Sequence, residues 1–215
     1  MLTILLPAHR HEYLAESITS VLAQTFPDFH LLIGINGDQW KKIGEVVERF
    51  EHDARVCPIY IDNEGKGFVQ VANEMMKLVN TPWVAIQECD DVWLPTKLEH
   101  QLPYLDRYDI VGTMAEYIGE KAGRVDVESG ELSGWHFDSH NPIVQMSAML
   151  KREDARWDES FARGVYDFAL WKRLMLAGRR FFNVPKVLVQ HRIHRNSTYN
   201  TLDTKAEEAR VKAMA

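Results

Sequence analysis

The chain has 215 residues, 46% of them hydrophobic, and a formal net charge of -6 at pH 7. That length suits one compact α/β domain with a full core and is short for two domains. The acidic balance argues against nucleic acid as a partner, because a phosphate backbone attracts basic surfaces.

The first ~110 residues alternate strand and helix patterns at the spacing of a mostly parallel sheet flanked by helices. Four short apolar runs predict strands at residues 2–6, 31–35, 56–61 and 83–87. Between them, apolar side chains recur at helical spacing. These stripes predict helices that begin near Leu14, Trp40 and Phe68.

The second half of the chain is less regular. A leucine stripe predicts a helix after Pro95, and a strand pattern covers residues 109–114. The polar residues 119–141 are expected to form a mobile or ligand-covering loop over the sheet. A buried helix is then predicted to end at Gly178, and strand patterns follow it at residues 181–184 and 187–193. Residues 1–203 are interpreted as one domain, and residues 204–215 as a tail that is helical or disordered.

Two observations bear on the cellular compartment. No apolar run approaches the ~20 residues that a membrane-spanning helix needs. The two cysteines, Cys57 and Cys89, lie in or beside predicted buried strands, so a disulfide framework is not expected. A cytoplasmic location is therefore predicted, and peripheral membrane contact stays open as an alternative.

Acidic side chains cluster where the fourth predicted strand ends. Glu88, Asp90 and Asp91 follow an apolar run and precede Val92-Trp93-Leu94-Pro95. Carboxylates this close raise each other's pKa unless a cation shares them, so a hard divalent ion is the expected partner. The alternative is a polar turn in which Asp91 caps the next helix.

Polar motifs also follow the first three predicted strands: His9, Asn36 and Gly65-Lys66-Gly67. Ligands of open parallel sheets bind beyond the carboxyl ends of the strands, so one crevice is expected to collect these motifs with the acids. A plain flexible turn is the competing interpretation of the glycine–lysine motif.

The chain resembles the inverting glycosyltransferases of family 2, which have the Rossmann-like GT-A fold and use nucleotide-sugar donors. The resemblance covers nearly the whole chain, and the acidic motif followed by an Asp-x-x-Leu-Trp helix makes it specific. The matching segments are Ile4-Leu5-Leu6-Pro7, Ser20-Val21-Leu22-Ala23-Gln24-Thr25, Glu88-Cys89-Asp90-Asp91-Val92-Trp93, Tyr166-Asp167-Phe168-Ala169-Leu170-Trp171 and Arg192-Ile193-His194-Arg195-Asn196-Ser197.

The resemblance implies roles for the acids. Asp90 and Asp91, with His194 from the C-terminal segment, would hold Mn²⁺ or Mg²⁺, which neutralises the leaving diphosphate. Glu88 stands where the family's Asp-x-Asp element has its first Asp, and would reach the ribose or a metal-bound water. Asp167 would be the base that deprotonates the acceptor hydroxyl. Its alternative is a helix cap or a surface charge.

The resemblance also implies a donor site built from Pro7, His9, Asn36 and Lys66, together with Glu88 and Asp90. Asn36 replaces an acidic residue of the family, and its carbonyl would accept the N3 hydrogen of uracil, so a UDP-sugar is favoured. His9 would lie near the base and Lys66 near the diphosphate. The expected acceptor is a hydroxyl of a glycan or a lipid-linked sugar, as in polysaccharide synthesis.

Two other functions are weighed. A sugar-phosphate nucleotidylyltransferase also uses Mg²⁺ with acids, but the turn Pro7-Ala8-His9-Arg10-His11 lacks a glycine-rich loop for a triphosphate. A catalytically inactive nucleotide-sugar-binding module would keep the fold without the chemistry. The retained Asp90, Asp91 and Asp167 speak against such a module.

Overall fold

A computed structural model describes residues 1–61, 67–161, 164–197 and 203–214. Its strands form one sheet in the order β3-β2-β1-β4-β9-β6-β10-β5, with β7 paired to β6 and β8 to β10. The strands are β1 (Leu2–Ala8), β2 (Phe29–Ile35), β3 (Val56–Tyr60), β4 (Trp83–Ile86), β5 (Val92–Trp93), β6 (Ile110–Gly119), β7 (Gly123–Arg124), β8 (Gly130–Leu132), β9 (Met149–Lys151) and β10 (Phe181–Ile193). The helices are α1 (Leu14–Leu22), α2 (Trp40–Val47), α3 (Phe68–Met76), α4 (Lys97–Gln101), α5 (Gly134–Ser139), α6 (Tyr166–Leu176) and α7 (Lys205–Lys212).

Helices cover both faces of the sheet. All seven residues of β1 are buried, as expected for a strand with helices on either side. Because neighbouring side chains on a strand point to opposite faces, Ile4 packs with the buried faces of α1 and α2, whereas Leu5 packs with those of α3 and α6. The predicted three-layer α/β arrangement is confirmed.

The first four strands are parallel, as predicted, and their order places a crevice. β1 pairs with β2 on one side and β4 on the other, so the chain progresses in opposite directions from β1. The carboxyl ends of such a pair open into the crevice where α/β sheets bind ligands. The predicted ends of these strands differ from the observed ones by no more than two residues.

The second half of the sheet mixes directions. β6 and β10 pair in parallel over most of their length, whereas the antiparallel pairs of the sheet are two or three residues long. The two strand patterns predicted before and after Pro185 form a single strand, β10. Its register to β6 shifts between Val184 and Val187, at the proline that has no backbone N–H to donate.

The expectation of a loop over residues 119–141 is wrong, because this stretch contains β7, β8 and α5. Phe137 is fully buried and its ring lies 4.7 Å from that of Phe181. The buried Lys172 of α6 donates to Asp138, so an ion pair also fastens α5. The segment is ordered by packing against residues that are distant in sequence, and its polar composition gave no indication of this packing.

Helices α6 and α7 complete the described core. α6 ends at Leu176, two residues before the predicted end at Gly178, whose φ of 77° is the left-handed conformation that favours glycine. The tail contains the predicted helix, and its Val211 is fully buried in a cluster with Phe161 and Phe168. Across the described ranges, no helix has the length and apolar character that crossing a bilayer takes.

Candidate active site

The loops after β1 and β2 meet the acidic turn after β4. The His9 Nδ1 atom lies 3.8 Å from the Cys89 Sγ atom, within the acidic turn. A Cβ atom built on Gly37, which follows Asn36, would lie 3.4 Å from the His9 carbonyl oxygen. The predicted convergence of His9, Asn36 and the acids at one crevice is therefore present in the structure.

Helix α1 and Gln87 hold the backbone of the acidic turn. The Ser17 hydroxyl donates to the Glu88 carbonyl oxygen at 2.8 Å. The Gln87 side-chain amide donates to the Ser17 hydroxyl and to the Asp91 carbonyl oxygen, each at 2.9 Å. Gln87 and Ser17 are fully buried. These bonds hold the backbone of the turn, although the Gln87 Oε1 atom has no hydrogen-bond partner among the described residues.

Three carboxylates meet in this turn. One oxygen from each of Glu88, Asp90 and Asp91 lies within 4.8 Å of the others. Burial, together with the charges of Asp91 and Asp90, raises the pKa of Glu88 to about 8. The Gln145 side-chain amide donates to the Glu88 Oε1 atom at 2.9 Å. The site therefore concentrates negative charge that an added cation would relieve.

Asp91 is fully buried and anchors the turn to β10. Its Oδ1 atom accepts from the Arg192 backbone N–H at 2.7 Å and lies 3.2 Å from the His191 Nδ1 atom. Burial opposes protonation of His191, but the carboxylates of Asp91, Glu88 and Asp90 together outweigh burial and raise the pKa of His191 to about 9. The alternative of Asp91 as a helix cap is not supported, since Thr96 precedes α4.

Asp90 faces a polar cleft. Its carboxylate is 17% exposed, and its Oδ2 atom lies 3.1 Å from the His194 Nε2 atom. The Arg192 Nε atom donates to the Asp90 carbonyl oxygen at 2.9 Å. A cleft of about 310 Å³ adjoins the pair, with cationic groups among its lining residues, which include Arg10, Tyr13, Asp90, His194 and Arg195. Glu12 and Glu120 also line this cleft, so basic and acidic groups are both present beside Asp90.

Asp167 lies at the first turn of α6, close enough to Glu88 of the acidic turn for its charge to raise the pKa of Glu88. Its Oδ2 atom accepts from the Asn141 side chain at 2.8 Å. Asn141 and Gln145 are four residues apart, and Gln145 contacts Glu88. One short segment therefore spans the distance between the two acids. Burial raises the pKa of Asp167 to about 6, against hydrogen bonds from Phe168 and Asn141 that favour its charged form.

The remaining predicted donor residues have distinct positions. Pro7 is buried in β1 opposite Gly34 of β2. Asn36 is 5% exposed, and its Oδ1 atom has no hydrogen-bond partner among the described residues. A buried amide oxygen without a partner is costly unless a ligand supplies the donor. Lys66 lies outside the described residues.

Sequence reasoning missed the groups that support the acids. His191 pairs with Asp91, Asn141 with Asp167 and Gln145 with Glu88. The position of His191 next to Arg192, in a segment already matched to the family, was a usable signal. Asn141 and Gln145 lie in a stretch without a motif, and no signal in the sequence pointed to them.

Comparison with known proteins gives a consistent result. A family model described as Glycosyl transferase family 2 matches residues 3–173. The O-antigen biosynthesis glycosyltransferase WbnJ of Escherichia coli is 28% identical over 217 residues, which cover 92% of this chain and 82% of WbnJ.

Solved structures share the fold. S. aureus TarS, in a crystal structure with UDP-GlcNAc, matches with a TM-score of 0.79 at 14% identity, over 99% of this chain and 65% of TarS 1-349. The mannosyltransferase PcManGT from Pyrobaculum calidifontis, in complex with GDP-Man and Mn²⁺, matches with a TM-score of 0.70 at 13% identity, over 92% of this chain and 58% of that chain. The chain thus spans less than two thirds of either structure, and identities this low establish the fold alone.

Proposed function

The chain belongs to glycosyl transferase family 2, and we propose that it transfers a sugar from a nucleoside-diphosphate sugar to a hydroxyl acceptor. The transfer inverts the anomeric centre and uses a divalent cation. The observation that carries the proposal is the meeting of the acidic turn and Asp167 at one crevice beyond β1 and β4. Inversion by direct displacement needs these two parts, one at the leaving group and one at the nucleophile.

The residues of the acidic turn fit a divalent cation. Glu88, Asp90 and Asp91 offer oxygen ligands within 4.8 Å of one another, and the raised pKa of Glu88, about 8, reflects burial and unrelieved repulsion. Asp90, Asp91 and His194 would hold the ion, either Mn²⁺ or Mg²⁺. When bound, such an ion supplies Lewis-acid stabilisation of the departing diphosphate. Asp91 is the least accessible of the set and also keeps β10 attached to the turn.

The donor base would lie at the ends of β1 and β2. The Asn36 Oδ1 atom has no partner among the described residues, and it would accept the N3 hydrogen of uracil. His9 and Pro7 would contact the same nucleoside, Glu88 would reach the ribose, and Lys66 would reach the diphosphate. TarS with UDP-GlcNAc and PcManGT with GDP-Man and Mn²⁺ support a nucleotide-sugar donor and a divalent ion. Asn36 favours UDP.

Asp167 would accept the proton of the acceptor hydroxyl. Its carboxylate has a pKa of about 6, raised by burial, so it is ionised near neutral pH while keeping affinity for a proton. As the hydroxyl oxygen bonds to the anomeric carbon, the bond from that carbon to the diphosphate breaks and the proton passes to Asp167. The nucleoside diphosphate leaves from the face opposite the attack, which inverts the anomeric centre.

The acceptor belongs to a polysaccharide or glycan pathway in this proposal. WbnJ is named for O-antigen biosynthesis, and it is similar to 92% of the length of this chain. A glycan or a lipid-linked sugar is therefore the acceptor class to test first. In this proposal the enzyme acts in the cytoplasm, and peripheral contact with a membrane would bring it to a lipid-linked acceptor.

The test measures transfer with UDP- and GDP-sugars and Mn²⁺, and reads the anomeric configuration of the product by NMR. We expect Asp167→Asn and Asp90→Ala to lower kcat by at least ~10³-fold with unchanged unfolding temperatures. The matched control Asp106→Asn changes an exposed aspartate that follows α4, and it should retain wild-type kcat.

Other outcomes would contradict this assignment. Full activity of Asp167→Asn would show that Asp167 is not the base. A product that keeps the anomeric configuration of the donor would rule out direct displacement. Release of pyrophosphate from a nucleoside triphosphate would favour a nucleotidylyltransferase. Binding of the donor with neither transfer of its sugar to any acceptor nor hydrolysis of the donor would favour an inactive binding module.

A further inference from the structure

The segment between α5 and β9 contributes an amide to each half of the crevice. Asn141 donates to the Asp167 Oδ2 atom at 2.8 Å, and Gln145 donates to the Glu88 Oε1 atom at 2.9 Å. Asn141 was not part of the predicted site, and it lies outside the segments that carry the family resemblance, although the family model spans it. We infer that Asn141 is a positioning residue that orients Asp167 and keeps it ionised for proton abstraction. The inference rests on the proposed role of Asp167 as the base.

Hydrogen bonds at Asp167 leave room for an acceptor. The Asp167 Oδ1 atom accepts from the Phe168 backbone N–H at 2.7 Å, and the Oδ2 atom accepts from Asn141. The two oxygens of a carboxylate offer about four lone pairs, so these bonds leave capacity for a further donor. Two bonds from different elements fix the plane of the carboxylate. The acceptor hydroxyl then meets a base of defined orientation.

Asn141 itself is fixed by the residues on either side of it. The His140 Nε2 atom lies 2.9 Å from the Glu128 Oε2 atom. On the other side, the Pro142 carbonyl oxygen accepts from the buried Asn183 side chain at 2.8 Å, and Asn183 also donates to the Glu128 carbonyl oxygen. The buried contact between Asn183 and Pro142 limits movement of the Asn141 backbone, and the exposed pair of His140 with Glu128 adds little. Its amide is therefore held at Asp167 before any substrate arrives.

The surroundings of Asp167 make this amide consequential. The carboxylate is shielded from water, and the acid Glu88 and the phenol of Tyr166 lie near enough to interact with it electrostatically. His191 is the cation that acts on it, in opposition to burial. Burial favours the protonated form of Asp167, which cannot serve as a base. Asn141 donates to the charged form and so shifts the balance towards the carboxylate.

The first experiment needs neither donor nor metal. The ¹³Cγ shift of Asp167 is titrated by NMR in chelator-treated protein, with the resonance assigned from Asp167→Asn. In Asn141→Ala, loss of a charge-assisted hydrogen bond is expected to raise the pKa of Asp167 by about 1. Gln190→Ala is the matched control, because it removes an amide donor to a different carboxylate, Glu116, at 2.7 Å. In that control the pKa of Asp167 should stay at the wild-type value.

The second experiment is the pH profile of kcat/KM. Asn141→Ala should move the acidic limb upward by the same amount, so that kcat/KM falls about tenfold at low pH and recovers at high pH. A merely structural role would lower the rate equally at every pH. If Asn141→Ala does not fold, Asn141→Asp keeps the shape and places a second carboxylate at Asp167, which should raise its pKa further.

These outcomes separate two ideas. An unchanged or lower pKa of Asp167 in the Asn141 variants would overturn the inference even if Asp167→Asn is inactive. A raised pKa of Asp167 in the Asn141 variants, together with full activity of Asp167→Asn, would support the contact between Asn141 and Asp167. It would also show that Asp167 is not the catalytic base.

Discussion

Removal of the His191 side chain should destabilise the protein in a pH-dependent manner. Asp91 is fully buried, and His191, 24% exposed, is its charged partner. The pKa of His191 is about 9 in the folded chain, against 6.5 for a free histidine. Because the folded pKa is raised, the stabilisation is complete below about pH 6.5 and is lost as pH rises through about 9. The difference corresponds to about 3 kcal/mol of unfolding free energy below pH 6.5.

The assay is denaturant unfolding of chelator-treated wild type and His191→Ala at about pH 6 and about pH 10. We expect a loss of about 3 kcal/mol at the lower pH and a much smaller one at the higher pH. His140→Ala is the control, since His140 and its partner Glu128 are each 37% exposed, and an exposed pair contributes about 1 kcal/mol or less. In an Asp91→Asn background, the pH dependence should weaken, because Asp91 contributes most of the charge that raises the pKa of His191. Equal losses of stability at both pH values would refute the reasoning.

Two further predictions concern the base and the support of its segment. The kcat/KM of the wild type should rise as pH passes through about 6, because Asp167 acts only when ionised; a flat profile from about pH 5 to about pH 8 would remove it as the titrating base. Asn183 supports the segment that contains Asn141, and a Cβ atom on Gly112 would clash with the Asn183 Oδ1 atom. Gly112→Ala should therefore lower the free energy of unfolding by about 1–3 kcal/mol, as measured by thermal unfolding. The control Gly67→Ala places its Cβ 3.7 Å from the Gln70 Oε1 atom and should change stability by less than about 1 kcal/mol; equal melting of both variants would mean that the clash relaxes.

The arrangement of the site distinguishes two kinds of acid in one turn. Asp90 is partly exposed and faces the polar cleft, whereas Asp91 is buried and connects the turn to β10. Glu88 contacts the segment that also contacts Asp167. A change at any of the three therefore has a different structural consequence, although their charges are the same.

The regular part of the fold could be predicted because it depends on local patterns. Apolar runs bounded by turns gave the four parallel strands within two residues of their ends. His9, Asn36 and the acids follow these apolar runs within a few residues, so the sequence also placed them at strand ends. Residues 119–141 were misjudged because their order depends on partners such as Phe181 and Lys172, which are distant in sequence.

The sequence by itself determined the strand-and-helix alternation, the acidic turn and the family motifs, since these are properties of neighbouring residues. Only the tertiary structure decided that His191 pairs with an aspartate 100 positions earlier, and that Asn141 contacts Asp167. The physical reason is that a buried charge is satisfied by whichever donor the packing brings to it. The spacing of residues along the chain therefore does not predict which donor pairs with a buried charge.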